Sequence, residues 1–581
     1  MDSTVSRPRP VQRIVKVRRD YNRWVSDESL EDYALRFAPR GFRKWSAFRV
    51  ANTAFGAVSF LALEAIGAAI SMTYGFTNAV WAIGVVSLVI FLTGLPIAYH
   101  AARRGLDMDL LARGAGFGYL GSTLTSLIYA SFTFIFFALE AAIMAQAFEL
   151  WFDLPRPIGY VVSALIVIPM VTHGVTLISR LQLWTQPVWL LLLVLPYLAI
   201  ALKDPGAFGE FASLNGRAGE GDTFSWTAFG AAATVAASLI AQIGEQVDFL
   251  RFMPEPTKAN RVRWWCAVVI AGPGWIVLGA AKMVGGAFLA FLALQNEIPV
   301  ERALEPTQMY LAGFAYVVGA GGLSVALAGL FVIVSQVKIN VTNAYAGSLA
   351  WSNFFARLTH SHPGRVVWLL FNVAIAVLLM VMGVFEALER VLAFYAHLAV
   401  AWVGAIVGDL VIAKPLGLSP TRIEFRRAYL HDINPAGFGA MGLGSVLSVL
   451  AYAGVFGESM RAASAGIALA VSLVAAPAIA WATGGRWYVA REPVDFGPRH
   501  PTLRCAVCRN RFESDDMAQC PAYGGAICSL CCTLDARCGD RCKGEGPPSV
   551  ADGLLTRLLP RGTQPEHVRR IGRFAAVLAV S

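Results

Sequence analysis

Eight of the nine cysteines fall between positions 505 and 542. Their spacing is Cys505-x2-Cys508, Cys520, Cys528-x2-Cys531-Cys532 and Cys538-x3-Cys542. Two thiolates on one tight turn supply half of a tetrahedral metal site, and a second such pair about twenty residues on completes it. The pattern assigns a first Zn2+ to Cys505, Cys508, Cys528 and Cys531, and a second to Cys520, Cys532, Cys538 and Cys542. An iron–sulfur cluster is the alternative occupant, because its ligands are also thiolates. Cys266 stands alone in an apolar run and is expected to be packing.

A second chemistry lies in ionisable groups inside apolar runs: Glu64, Glu140, Glu245, Asp248, Lys282 and Lys338. Such groups are costly in hydrocarbon and mark pathways or pairs. Phe132, Phe136 and Glu140 step by four and share one helical face, which could stack a flat heterocycle beside a polar acceptor or could be core. Asp248 and Arg251 lie near the end of their run, where a structural role is expected. The stretch from Ser335 to Ser348 concentrates Gln336, Lys338, Asn340, Thr342 and Asn343 in an apolar helix. Without water to bond, these side chains must face neighbours, a cavity or a ligand.

What must position these groups is a bilayer-spanning bundle. The chain has 581 residues, 56% of them hydrophobic and only 15% charged. A soluble domain carries about 25% charged residues, so an ordinary soluble protein is excluded. Apolar runs long enough to cross a bilayer recur about twelve times. They lie at 50–74, 78–99, 118–150, 157–178, 183–202, 226–250, 264–292, 310–351, 366–384, 391–413, 438–457 and 463–483. The run at 310–351 reads as a hairpin-like approach plus one long span, and Gly56 and Gly67 allow the first span to unwind midway. Arginine and lysine crowd the tail at 1–45 and every second loop, including Arg103, Arg104, Arg113, Arg261, Arg263, Arg426 and Arg427. Acidic residues mark the alternate loops, with Asp204 and Glu210 in one and Glu297, Glu301 and Glu305 in another. The positive-inside rule then places both termini in the cytoplasm of an inner (plasma) membrane protein. The net charge of +10 reflects this sidedness rather than a nucleic-acid partner. The expected organisation is a basic tail at 1–45, a membrane domain at 46–488, a cysteine-rich cytoplasmic module at 489–545, and at 546–581 a linker with a short hydrophobic segment that reads either as a frayed tail or as the start of a truncated segment.

The run Asn340-x-Thr342-Asn343-Ala-Tyr345-Ala-Gly-Ser348-Leu-Ala-x-Ser352-Asn353 resembles the eighth helix of the purine/cytosine permease (nucleobase–cation symporter) family. Asp248-Phe-Leu-Arg251-Phe is similar to that family's motif at the end of helix six, and Arg113-Gly-Ala-Gly-Phe-Gly fits its glycine-rich approach to helix three. The resemblance covers residues 45–485. It implies an all-α, leucine-transporter-like fold: a five-plus-five inverted repeat plus two helices, with substrate held among helices one, three, six and eight. It also implies Phe136 as the stacking aromatic and Glu140 at a polar amide position, with Asn340, Thr342 and Asn343 on the eighth-helix polar face. Gln242 and Glu245 are its sixth-helix candidates. Sodium-coupled members carry small hydroxyl residues at the two positions before the first Asn; here these are Lys338 and Ile339. Lys338 is therefore expected to substitute for the bound cation, with Glu64 as its counter-charge.

The expected function is secondary transport of a nucleobase-like heterocycle by alternating access, without Na+ coupling. No nucleophile–base pair or phosphate loop points to an enzyme. The alternative is a transporter-like sensory input domain of a signalling protein such as a sensor histidine kinase, with a cytoplasmic signalling partner or downstream output domain.

Overall fold

The computed structural model describes residues 28–217, 223–497, 501–535, 538 and 540–543. The expected hydrophobic segment at 546–581 and most of the basic tail lie outside these residues. Span one is two helices, α1 (Ala47–Phe55) and α2 (Ala62–Tyr74), bent by 43°. The Ser46 side chain caps α1 by accepting from the Arg49 amide. A 3-10 turn (Gly56–Ser59) and an extended Phe60 (ψ 133°) interrupt the helix. α3 (Phe76–Arg104) follows and ends on Gly105, whose φ of 70° fits the left-handed closing position of a helix. α4 (Ser122–Phe152), α5 (Arg156–Thr172) and α6 (Val175–Lys203) complete the first five spans.

The second five repeat the pattern. Span six is again interrupted: α7 (Trp226–Ala237) passes through a 3-10 turn (Ser238–Gln242) into α8 (Ile243–Leu250). α9 (Arg261–Ala271) and α10 (Trp275–Gln295) form span seven. α11 (Pro306–Val318) is the hairpin-like approach, separated from α12 (Gly322–Thr359) by Gly319 and Gly321 at φ 83° and 155°. α13 (Arg365–Val381) and α14 (Leu388–Val407) are spans nine and ten; α15 (Pro435–Tyr452) and α16 (Ser464–Ala482) are the added pair. Among the described residues nine helices are long and apolar enough to cross a membrane. The bent first span makes a tenth, and the two 17-residue apolar helices α5 and α13 bring the set to twelve. Spans one and six are broken, whereas spans three and eight, at 31 and 38 residues, are the longest unbroken helices and pack along each other more extensively than any other pair. That correspondence is what two repeats of five require.

One end of the bundle is tied by buried charges. Asp109 accepts from Arg113 at 2.8 Å and from Arg357 at 2.7 Å, while Arg251 reaches Asp107 at 3.2 Å and the Tyr345 hydroxyl at 3.0 Å. The Tyr129 hydroxyl donates to Asp248 at 2.8 Å, so Asp248 and Arg251 are structural, as their position suggests. Residues 28–45 cross this same end. The Asp32 carboxylate accepts from the Arg365 amide at 2.9 Å and meets His362 at 3.1 Å. Burial pushes that carboxyl up, but His362 and Arg365 hold it down to about 2. Its stabilising contribution is therefore complete above the ordinary carboxylate range and is lost only as pH falls through about 2.

The cysteine-rich segment sits here too. β1 (Thr502–Arg504) pairs antiparallel with β2 (Arg511–Glu513), β3 (Met517–Cys520) pairs with β4 (Gly525–Cys528), and α17 (Ser529–Leu534) follows. Arg427 donates to the Cys532 and Asp535 carbonyls, Arg426 donates to the Met517 carbonyl, and the His360 ring meets the Thr533 carbonyl. Met517, Ala518, Ile527 and Leu530 are buried in the same core as the membrane helices.

Spans one and seven touch through glycine. A methyl group on Gly67 would overlap the Met283 carbonyl, and one on Gly286 would overlap the Glu64 backbone. Small residues allow this close approach inside a membrane bundle. Gly67→Val should therefore cost about 3 kcal/mol, at the upper end of overpacking. Gly84→Ala, with open space beside it, should leave the unfolding midpoint in detergent unchanged.

Candidate functional site

The interruption of span one leaves backbone groups unpaired at its centre, and side chains from two other spans satisfy them. The α2 amides of Leu61 and Ala62 each donate to the Glu140 carboxylate at 3.0 Å. A carboxylate at a helix N-terminus also complements the helix dipole. The Val58 and Phe60 carbonyls accept from Lys282 Nζ at 2.9 and 2.6 Å. Lys282 pairs with Glu64 at 3.4 Å, and the other Glu64 oxygen accepts from the Tyr310 hydroxyl at 2.9 Å. All these groups are buried.

Around this break stands an aromatic wall. The Phe136 ring lies 6.0 Å from Phe60 and 4.4 Å from Phe132, and Phe60 lies 6.0 Å from Trp275. Phe132, Phe136 and Glu140 thus share a face of α4, and that face meets the break.

Span eight brings a polar stripe to the same region. Gln336 faces Glu140, and Asn340 and Asn343 follow at helical spacing on one side of α12. Both amide atoms of Asn340 and both of Asn343 are fully buried without a hydrogen-bond partner among the described residues. Gln242 donates to Glu245 at 3.0 Å, and Thr342 donates to the same carboxylate oxygen at 3.3 Å. Glu245 Oε1 has no hydrogen-bond partner among the described residues. Spans six and eight are therefore linked beside the two asparagines.

Lys338 lies elsewhere. Its ammonium donates to Gln182 at 2.6 Å, Gln186 at 2.9 Å and Thr185 at 3.2 Å, all on span five. Glu64 is not its counter-charge: the Glu64 partner is Lys282, because Glu64 faces span seven across the glycine contact whereas Lys338 faces span five. The two ammonium groups flank the Trp189 ring, each 5.7 Å from its centre. Sequence reasoning placed Lys282 inside a span but gave it no role.

The first four cysteines converge. The sulfurs of Cys505, Cys508, Cys528 and Cys531 all lie within 4.8 Å of one another, with Cys508 and Cys528 4.0 Å apart. Zinc–sulfur bonds of about 2.3 Å in a tetrahedron put sulfurs about 3.8 Å apart, so the set fits a thiolate-bound metal. Hydrogen bonds from Cys508, Cys528 and Cys531 hold the Cys505 thiol well below its usual range, and burial raises that of Cys528. A cation bound by these four sulfurs would displace the protons they share. Cys520, Cys532, Cys538 and Cys542 line one cavity with Asp535 and Asp540, but among the described residues only the first four cysteines converge to metal-ligating distance, so the expected second set is not brought together in the same way. Cys266 is exposed on α9, not packed inside as expected.

No protein-family model matches the sequence, and no curated protein matches it. Solved structures share its fold. Mhp1, a nucleobase-cation-symport-1 family transporter, in a closed conformation with bromovinylhydantoin bound, is 16% identical with a TM-score of 0.58, over 80% of this chain and 95% of that one. The inward-facing conformation of Mhp1 is 17% identical with a TM-score of 0.56, over 77% of this chain and 93% of that one. The likeness is one of fold, and it is the fold that the eighth-helix motif implied.

Cys528→Ser should remove the converged metal site: metal analysis of the purified full chain should then find about one ion fewer. Cys266→Ser should leave the metal content unchanged.

Proposed function

We propose that this protein is a secondary transporter that carries a nucleobase-like heterocycle by alternating access and does not couple to Na+. The observation that carries this reading is the pair Asn340 and Asn343 of span eight, whose four amide atoms are buried without a partner among the described residues. Leaving a buried amide unpaired costs about 1–3 kcal/mol. An amide presents a donor beside an acceptor, which complements the N–H and C=O edge of a ureide or lactam ring. Phe136 supplies a ring for stacking, and Glu245 Oε1 a further acceptor. Glu140 holds the helix break by accepting from the Leu61 and Ala62 amides, one at each oxygen, and its remaining lone pairs are acceptors for a substrate donor. The broken first and sixth spans are the elements that a discontinuous-helix transporter moves around its site. The bromovinylhydantoin bound to Mhp1 is a ligand of the kind proposed.

Both cysteine sets are proposed to hold Zn2+ in a structural role, and the end that carries them to face the cytoplasm, as the basic loops require. A second reading is a sensory input, favoured by one observation: the cysteine segment shares a core with the membrane helices, so a shift of span eight would move it.

Uptake of labelled uracil, cytosine, hydantoin and allantoin into proteoliposomes tests the transport reading. At least one should accumulate, equally in Na+, K+ and choline media. Asn343→Ala should weaken its binding about tenfold or more, the loss of one good hydrogen-bonded contact. Binding without accumulation would favour the sensor.

A further inference from the structure

We propose that Lys282 is a built-in cation: its ammonium occupies, permanently and covalently, a cation site at the break in span one. The inference deepens the proposed absence of Na+ coupling and rests on that reading, but it moves the charge from Lys338 to Lys282.

The ligand set is that of a cation site. Two backbone carbonyls, of Val58 and Phe60, and one carboxylate oxygen of Glu64 surround Nζ at 2.9, 2.6 and 3.4 Å. The faces of Phe60 and Trp189 each lie 5.7 Å away. Carbonyls at the C-terminal end of a half-helix carry the negative end of its dipole, and in a membrane they need a donor or an ion. Lys282 is 3% exposed and Glu64 0%, so bulk water does not supply one.

The opposite flank is also filled. Glu140 takes the two amides that begin α2. The break thus has a cation on its carbonyl side and an anion on its amide side, both from this chain's own side chains. Lys338 Nζ lies at the same 5.7 Å from the Trp189 ring centre, so a second ammonium stands near the first. An added Na+ would meet an ammonium already in place, and in a low-dielectric interior that repulsion is large. Lys338 cannot play this part, since its three partners are neutral side chains of span five.

Removal of the side chain should uncover the site. Lys282→Ala leaves the two carbonyls and the Glu64 carboxylate as an oxygen cage for a small monovalent cation. The test is thermal unfolding of the purified full chain, followed by tryptophan fluorescence in NaCl, LiCl, methylammonium chloride and choline chloride at equal ionic strength. The unaltered protein should unfold at the same midpoint in all four. Lys282→Ala should unfold earlier in choline and be rescued saturably by at least one small cation, by about 3 °C or more. Lys282→Ala/Glu64→Gln should lose that rescue, because the cage has lost its charge. Saturable stabilisation of the unaltered protein by Na+ would overturn the proposal, as would a Lys282→Ala protein indifferent to all four salts. A double variant as salt-responsive as the single would overturn it too. If Lys282→Ala alone cannot be purified, recovery of the double variant supports the pairing, and loss of both overturns it. No substrate enters the measurement, so its failure leaves the heterocycle reading standing, and failure of uptake leaves the built-in cation standing.

Discussion

A helix interrupted at the centre of a membrane protein exposes amides and carbonyls where there is no water to receive them. That constraint at Phe60 governs the arrangement around it. It demands an acid on span three for the amides and a base on span seven for the carbonyls, and Glu140 and Lys282 answer it. It fixes the depth of Glu64, which must meet Lys282, and of Tyr310, which must meet Glu64. It also requires glycine where spans one and seven touch, since a longer side chain at Gly67 or Gly286 would hold Lys282 away from the carbonyls. On spans six and eight, Glu245 Oε1 and the amides of Asn340 and Asn343 are buried without a partner among the described residues, and it is there that a ligand has something to add.

The end bearing the cysteine segment obeys a different economy. Its charges are numerous and nearly all paired, through Asp107, Asp109, Arg113, Arg251 and Arg357. Buried pairs of this kind are poor sources of net stability, but they are severe when broken, because one partner is left charged and unsolvated. They therefore specify one closed arrangement of this end. The surface contacts that join residues 36–41 to the cysteine segment, such as Arg40 with Asp515 at 3.9 Å, are solvent-exposed and individually weak. The apolar core beneath them does the holding.

The broken first span, the long third and eighth spans and the polar stripe were legible from glycine placement, hydropathy and the clustering of amides. The converged cysteines were legible from spacing alone, because two residues per turn leave few geometries open. The salt-bridge partner of Glu64 was not, since two lysines lay in plausible spans and sequence carries no direct record of which helix faces which. A signal did exist: Glu64 precedes Gly67 by three residues and Lys282 precedes Gly286 by four, so both charges sit one turn from a small residue. Small residues mark helix contacts in membranes, and matching the two motifs would have paired the spans. The ends of helices were harder. The run at 118–150 begins in the structure at Ser122, after an irregular turn over Arg113–Phe117 in which Gly116 has φ 92°. The four residues between, Gly118 to Gly121, carry no charge, so hydropathy does not separate them from the helix that follows.

The amide of Gly41 donates to Glu513, a contact between residues 472 positions apart. Chains emerge and fold from the N-terminus. Residues 28–45 must therefore wait at the membrane surface while the twelve described spans are made and inserted, because their partner surface is synthesised only after them. A chain halted before residue 501 would lack the Phe512 ring that Arg36 covers and the Glu513 carboxylate that Gly41 meets, so the seating of residues 36–41 follows the spans in time.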